Sequence, residues 1–174
     1  MRKLLLLTCS FLILSVACRK DRRERIFEMT YPNFEFQFPA GLSQFQARVF
    51  AFSSVTTDID NYLQQFSTDT SAIAAISPLY ANIYNDNNLD FDYLEEVSVR
   101  VCPVGQECTA FDEAFYLDNL RNRSLSRLQL LPTLRNLKPV LTGKNYRLEI
   151  VFFLSEISPF TLDCRLEMGF EAVR

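Results

Sequence analysis

The stretch FTLDCRLEMGFEAV, residues 160–173, decides the fold. Phe160, Leu162, Cys164, Leu166, Met168, Phe170 and Ala172 fall on one face at period two. Thr161, Asp163, Arg165, Glu167 and Glu171 fall on the other. Side chains alternate along an extended chain, so this pattern is a strand with one face in a core and one in water. Reading back, YRLEIVFFL (146–154) repeats it with Leu148, Ile150, Phe152 and Leu154. Val151 and Phe153 make its second face apolar too, which predicts a central strand. EVSVRVC (96–102) turns Val97, Val99 and Val101 inward, and NFEFQF aligns Phe34, Phe36 and Phe38. FQARVFAFSSV (45–55) is a β-rich run, and SLSRLQLL (124–131) a further strand. TAFDEAFYL (109–117) reads as a strand or a helical turn. SAIAAISPLYANIYNDNN (71–88) reads as strand, short helix or long crossover.

Helical signals are few. Thr57/Asp58 can cap a short helix over 60–66 that buries Leu63 and Phe66. LRNLKPVL (134–141) has room for one turn before Pro139. Many short strands, turn signals between them and no βαβ rhythm predict an all-β fold. The expected form is an antiparallel β-sandwich, Ig-like or jelly-roll-like, with one or two short helices.

The 174 residues contain 16 Phe, no Trp and four Gly, a composition for a packed core rather than a repetitive or disordered chain. There are no histidines. That removes Ser-His-Asp and Cys-His catalysis, His-ligated zinc and the usual proton shuttle near neutral pH. There is no G-x-S-x-G, P-loop or G-x-G-x-x-G motif. From Ile26 onward 11 Lys and Arg stand against 19 Asp and Glu, a net charge of −8. Such a domain is a poor partner for nucleic acid, whose affinity comes largely from phosphate neutralisation.

Strand parity sorts the cysteines. Cys164 lies on the inward face of the last strand, whereas Cys102 follows the outward parity of Ser98 and Arg100. Opposite faces do not meet, so those two do not pair. Cys102 and Cys108 flank PVGQE, a short turn between strand-like runs, and are predicted to form a disulfide at the end of a hairpin. Cys164 is then a buried thiol.

One acidic constellation stands out. IYNDNNLDFDYLEEV (83–97) spaces Asp86, Asn88, Asp90 and Asp92 two apart, oxygen ligands of the kind calcium takes. It departs from an EF-hand loop where that loop is specific, with Phe91 at the glycine position and Val97 at the bidentate glutamate. The simpler expectation is a polar turn over 85–88 followed by Leu89, Phe91 and Leu94 packing inward. No other cofactor is implied. The adjacent acids Glu95/Glu96 and Asp112/Glu113 face opposite sides of a strand, so neither pair makes a general acid/base dyad by itself. Tyr80, Tyr84 and Tyr93 lie outside the main alternation and suit either a contact surface or burial under a crossover.

At the N-terminus, Arg2 and Lys3 precede an apolar run from Leu4 to Val16, then Ala17, then Cys18. A basic start, an apolar core of about 7–15 residues and a small residue before the cut make a secretory signal. The run is shorter than the roughly 20 residues that span a bilayer. Cys18 directly after the small residue resembles the lipobox of bacterial lipoproteins, where that cysteine is acylated and becomes the first mature residue. RKDRRER (19–25) then reads as a solvated basic tether that also suits anionic headgroups. By resemblance to Gram-negative lipoproteins, Arg19 in place of Asp after the cysteine implies the outer membrane. The expected organisation is a signal peptide over 1–17, lipidated Cys18 and tether over 18–27, and the sandwich over 28–174.

LDFDYLEEVSVRV, followed downstream by NLKPVLTGKNYRLEIVFFL, resembles uncharacterised lipoproteins of Bacteroidetes and related Gram-negative bacteria. The matched residues are Leu89, Asp90, Phe91, Leu137, Lys138, Pro139 and Leu141; Val140 stands where the family has Tyr. The resemblance spans residues 80–173. It implies a β-sandwich lipoprotein and brings no catalytic residue. The function expected is a non-enzymatic binding or accessory module, anchored to the membrane by lipid and meeting an envelope protein or glycan. The alternatives are a carboxylate-based glycan-acting enzyme and a calcium-dependent adhesion module through residues 86–92.

Overall fold

A computed structural model describes residues 24–121 and 123–174. The expected signal peptide, Cys18 and the tether up to residue 23 lie outside the described residues. Eight strands follow one another: β1 (Arg25–Phe38), β2 (Arg48–Thr56), β3 (Ala75–Asn85), β4 (Leu94–Pro103), β5 (Glu113–Leu117), β6 (Arg127–Pro132), β7 (Asn145–Leu154) and β8 (Leu162–Val173). Two short helices join them, α1 (Ile59–Gln65) and α2 (Lys138–Leu141), with a 3-10 turn at Ala110–Asp112. β1 pairs with β8, β2 with β7, β3 with β6 and β4 with β5, all antiparallel. That is one long hairpin with its tip between β4 and β5. Rolling it up adds β3–β8, β4–β7 and a short β5–β6 pairing. The strand order becomes β1-β8-β3-β6-β5-β4-β7-β2. It bends into two layers at the two-residue junction Phe115↔Pro132 and Tyr116↔Leu131. The fold is a jelly roll, one of the two sandwiches expected.

The core lies between the layers. On β8, Leu162, Cys164, Leu166, Met168, Phe170 and Ala172 are all buried, because this face of the strand packs against the opposite layer. Val97, Val99 and Val101 face them from β4, and Tyr146, Leu148, Ile150 and Phe152 from β7. β7 sits between β4 and β2, a central strand as its two apolar faces predicted. Phe115 reaches Phe170 across the core at 5.7 Å between ring centres. On the open side β1 and β2 do not pair; their aromatic rings meet instead, Phe36 with Phe50 at 4.9 Å and Phe34 with Phe52 at 5.2 Å.

Several expectations are corrected. The packed domain begins at Arg25, not residue 28: Phe27, assigned to the tether, is buried and stacks on Tyr62 at 5.6 Å. The ambiguous segment contains β3, an interior strand. It tolerates Pro78, which cannot donate to a ladder, because the register slips between Pro78 and Tyr80. The displaced Tyr80 ring lies over Gly169, where a Cβ would overlap it. Residues 109–117 are both things at once, a 3-10 turn leading into β5. Asp58 precedes α1 at φ 52 and makes no side-chain cap; the Thr57 hydroxyl oxygen accepts the Ile59 N–H at 3.4 Å instead. The buried residue of α1 is Ile59, whereas Phe66 is 44% exposed. α2 includes Pro139 in its first turn, where a missing N–H costs nothing.

Strand direction gives the barrel two distinct ends. Loops 57–74, 104–112 and 133–144 lie at the end where β1 starts and β8 finishes. There the Arg174 N–H donates to the Glu24 carbonyl at 3.0 Å. Loops 39–47, 86–93, 118–126 and 155–161 lie at the other end.

Candidate functional site

The Cys102–Cys108 disulfide is present as predicted, with Cα atoms 5.5 Å apart, at the tip of the long hairpin. The tip folds back on the outer face of β7. There Glu149 Oε1 accepts the Cys108 N–H at 3.3 Å and Arg147 Nε–H at 2.7 Å. This explains how Glu149 lies 4% exposed on the outside of a sheet. Cys164 is a free, buried thiol, also as predicted. Burial first, then the charges of Asp163 and Asp86, push its thiol up to about 12. At neutral pH it is not a nucleophile. Cys18 lies outside the described residues.

Asp86, Asn88, Asp90 and Asp92 occupy the β3–β4 loop at the end away from Arg25. Asn85 organises that loop: its amide donates to the carbonyls of Leu89 at 2.7 Å and Ser126 at 3.1 Å, and its oxygen accepts the Leu89 N–H at 3.0 Å. Asp90 accepts the Ser124 hydroxyl proton. Asp86, Asn88 and Asp92 are exposed, and Asn88 takes a positive φ of 53. Among the described residues, no three Asp, Glu, Cys or His side chains gather where they could hold a metal ion. The loop residues singled out for calcium are therefore not brought together. Of the three tyrosines, Tyr93 is a core residue, whereas Tyr84 lies on the outer face of β3. Arg127 and Arg165 flank the Tyr84 ring at 4.8 and 5.2 Å.

The adjacent acids find different partners, but strand parity is not what separates them: Asp112 lies in the 3-10 turn, and the register slips between Leu94 and Glu96. Glu95 reaches Arg121 at 4.0 Å, and Asp112 pairs with Arg135 at 2.7 Å. The other member of each pair, Glu96 and Glu113, belongs to the outer surface of the β4–β5 pair. Glu96, Ser98 and Arg100 line the outside of β4, and Glu113 sits opposite Arg100 on β5. The Ser98 hydroxyl donates to Glu113 Oε2 at 2.7 Å. Burial, then the charges of Glu113 and Asp118, raise the Glu96 carboxyl above its ordinary range. Arg100 Nε is buried with no hydrogen-bond partner among the described residues. The sequence hid this group because cross-strand register is not written in it. The period-two run Glu96, Ser98, Arg100 was its one visible trace.

A cleft of about 350 Å³ opens beside α1, lined by Thr56, Asp58, Asp60, Asn61, Lys144 and Asn145. Thr57 forms its floor; the hydroxyl donates to the Gly143 carbonyl at 2.6 Å, and the Thr57 carbonyl accepts the Tyr31 hydroxyl at 2.9 Å. The volume is at the small end for ligand sites, and the lining mixes polar side chains with apolar surface, Ile59 among it. No described helix is long and apolar enough to cross a membrane.

No protein-family model matches the chain, and no curated protein matches it. Among solved structures it is similar to a chain of Cocksfoot mottle virus, at 14% identity over 83% of this chain and 81% of that one, with a TM-score of 0.29. The jelly-roll assignment rests on the strand order alone.

Proposed function

We propose that this is a lipid-anchored cell-envelope protein, a binding or accessory module held at the outer membrane through Cys18. The observation that carries the reading is the run Leu4–Val16, Ala17, Cys18, followed within a few residues by the first strand. The Cys102–Cys108 disulfide suits an oxidising compartment. Because β1 starts at one end of the barrel, a tether from Cys18 enters there. The loops at the other end are left free to meet a partner.

Those distal loops are tied into one platform. The Gly41 N–H donates to the Ser158 carbonyl at 2.8 Å, and the Ser158 hydroxyl to the Pro39 carbonyl at 2.9 Å. The Ser155 N–H donates to the Tyr93 carbonyl at 2.9 Å. Phe45, 87% exposed, and Ile157, 63% exposed, stand out from it. Exposed apolar side chains suit contact with a partner.

Labelling with an alkyne fatty acid in a Gram-negative host tests the anchor. Cys18→Ala should lose the label and leave the membrane fraction. Label retained by Cys18→Ala overturns the reading. The glycan-acting alternative would use Glu96, whose carboxyl is raised by burial and by the charge of Glu113 and so suits an acid. Envelope-glycan turnover abolished by Glu96→Gln would favour it over the accessory role.

A further inference from the structure

We infer that the barrel docks end-on against the bilayer, with Phe111 and Leu134 inserted into the interface as wedges. This rests on the lipid anchor proposed above. Phe111 and Leu134 are the most exposed large apolar side chains of the described residues, at 92% and 102%. They belong to loops 104–112 and 133–144, which share the end of the barrel where β1 begins. The connection between their two loops is direct, because the Thr133 N–H donates to the Ala114 carbonyl at 2.9 Å and Arg135 reaches Asp112 at 2.7 Å.

Reach selects the bilayer as occupant. From Cys18 to Glu24, the first described residue, is six peptide units, at most about 20–22 Å of chain. β6, β5 and their loops stand three to four strands across from β1 in the sheet order. At the usual strand spacing that is about 14–19 Å. A lipid on Cys18 therefore keeps both side chains close enough to touch the membrane at every tilt that brings this end down. The tether also supplies a high effective concentration, so weak insertion suffices.

The backbone that presents both wedges is pinned. The Asp112 carboxylate accepts the Thr109 N–H at 2.8 Å and hydroxyl at 2.9 Å, closing the turn that presents Phe111. The disulfide closes the same loop one residue earlier in the chain. The Thr133 hydroxyl donates to the Glu113 carbonyl at 3.1 Å, fixing the residue before Leu134. Charge does not drive the contact. At this end Asp58, Asp60, Asp69 and Glu107 stand alongside Lys138 and Lys144, so the wedges insert by apolar burial, beside whatever the basic tether adds on anionic headgroups, and should do so on zwitterionic lipid.

The absence of tryptophan makes the test direct. The full lipidated chain carrying Phe111→Trp, or Phe45→Trp at the opposite end, is reconstituted into phosphatidylcholine vesicles with and without brominated acyl chains. Flotation with the vesicles reads the anchor, and quenching reads the docking. The Phe111→Trp emission should shift to the blue and fall by roughly half on brominated lipid, as expected for a side chain about 5–10 Å into the interface. It should be unchanged by high salt, and Phe45→Trp should be unaffected. Flotation without quenching of Phe111→Trp, or equal quenching of both, overturns end-on docking while leaving the anchor intact. Failure to float overturns the anchor and the docking with it.

Discussion

Asp112 accepts two hydrogen bonds from Thr109 and an ion pair from Arg135, all at the hairpin tip. Burial works against its charged form, but the Thr109 hydrogen bonds and the Arg135 guanidinium outweigh it. The carboxyl is therefore held below its ordinary value of 3.8. A carboxyl with a lowered folded-state pKa binds fewer protons in the folded than in the unfolded chain. Its contribution is present above the unfolded pKa and is lost as pH falls through the folded one. Asp112→Asn should thus lower the urea midpoint at pH 7, and the gap to wild type should narrow once the pH drops below about 3.8. A gap of the same size at pH 3 and pH 7 would show that the side chain acts by shape rather than charge. Glu96 runs the other way: its raised carboxyl favours the folded state as pH falls through the raised value.

At the scale of elements, the β4–β5 connection is where sequence and structure agree most closely. Parity separated Cys102 from Cys164, and the short Pro/Gly turn selected Cys108 as its partner. With only six residues of separation, closing this loop restricts the unfolded chain modestly. On the chain-entropy model the bond contributes about 2 kcal/mol. Cys102→Ser/Cys108→Ser should lower stability by about that amount in a urea titration, and reductant should shift wild type equally while leaving the double variant unchanged. A reductant effect in the double variant would assign the stabilisation elsewhere. β8, β7 and β4 were legible because each has one continuous inward face. β3 was not, since Pro78 and the register slip break its alternation, and the start of β1 was hidden behind the charges of residues 19–25. The Glu96, Ser98, Arg100 and Glu113 group was illegible for a different reason. Its members come from two strands whose register depends on a bulge between Val99 and Arg100.

At the scale of the molecule, rolling one hairpin closes a jelly roll on one side only. The β5–β6 pairing seals the near side, and β1 and β2 are left as unpaired edges on the other. Unpaired edges invite association with other chains unless something covers them or draws them together. Here a ladder of rings does so: Phe34 meets Phe52, Phe36 meets Phe50, and Phe38 meets Phe152 at 5.1 Å. These rings come from the first two strands and β7, so the seam ties the chain segment nearest the tether to the opposite layer. Aromatic contacts of this kind contribute about 0.5–1.5 kcal/mol beyond the area they bury. Phe36→Leu and Phe50→Leu keep the volume apolar while removing ring-to-ring contact. In a double-variant cycle read by urea unfolding, their effects should fall short of additivity by about 0.5–1.5 kcal/mol. Strict additivity would mean that the seam is held by burial alone. The single variants should also raise the chain's tendency to dimerise in sedimentation, because a loosened seam frees the β1 and β2 edges that the rings hold face to face.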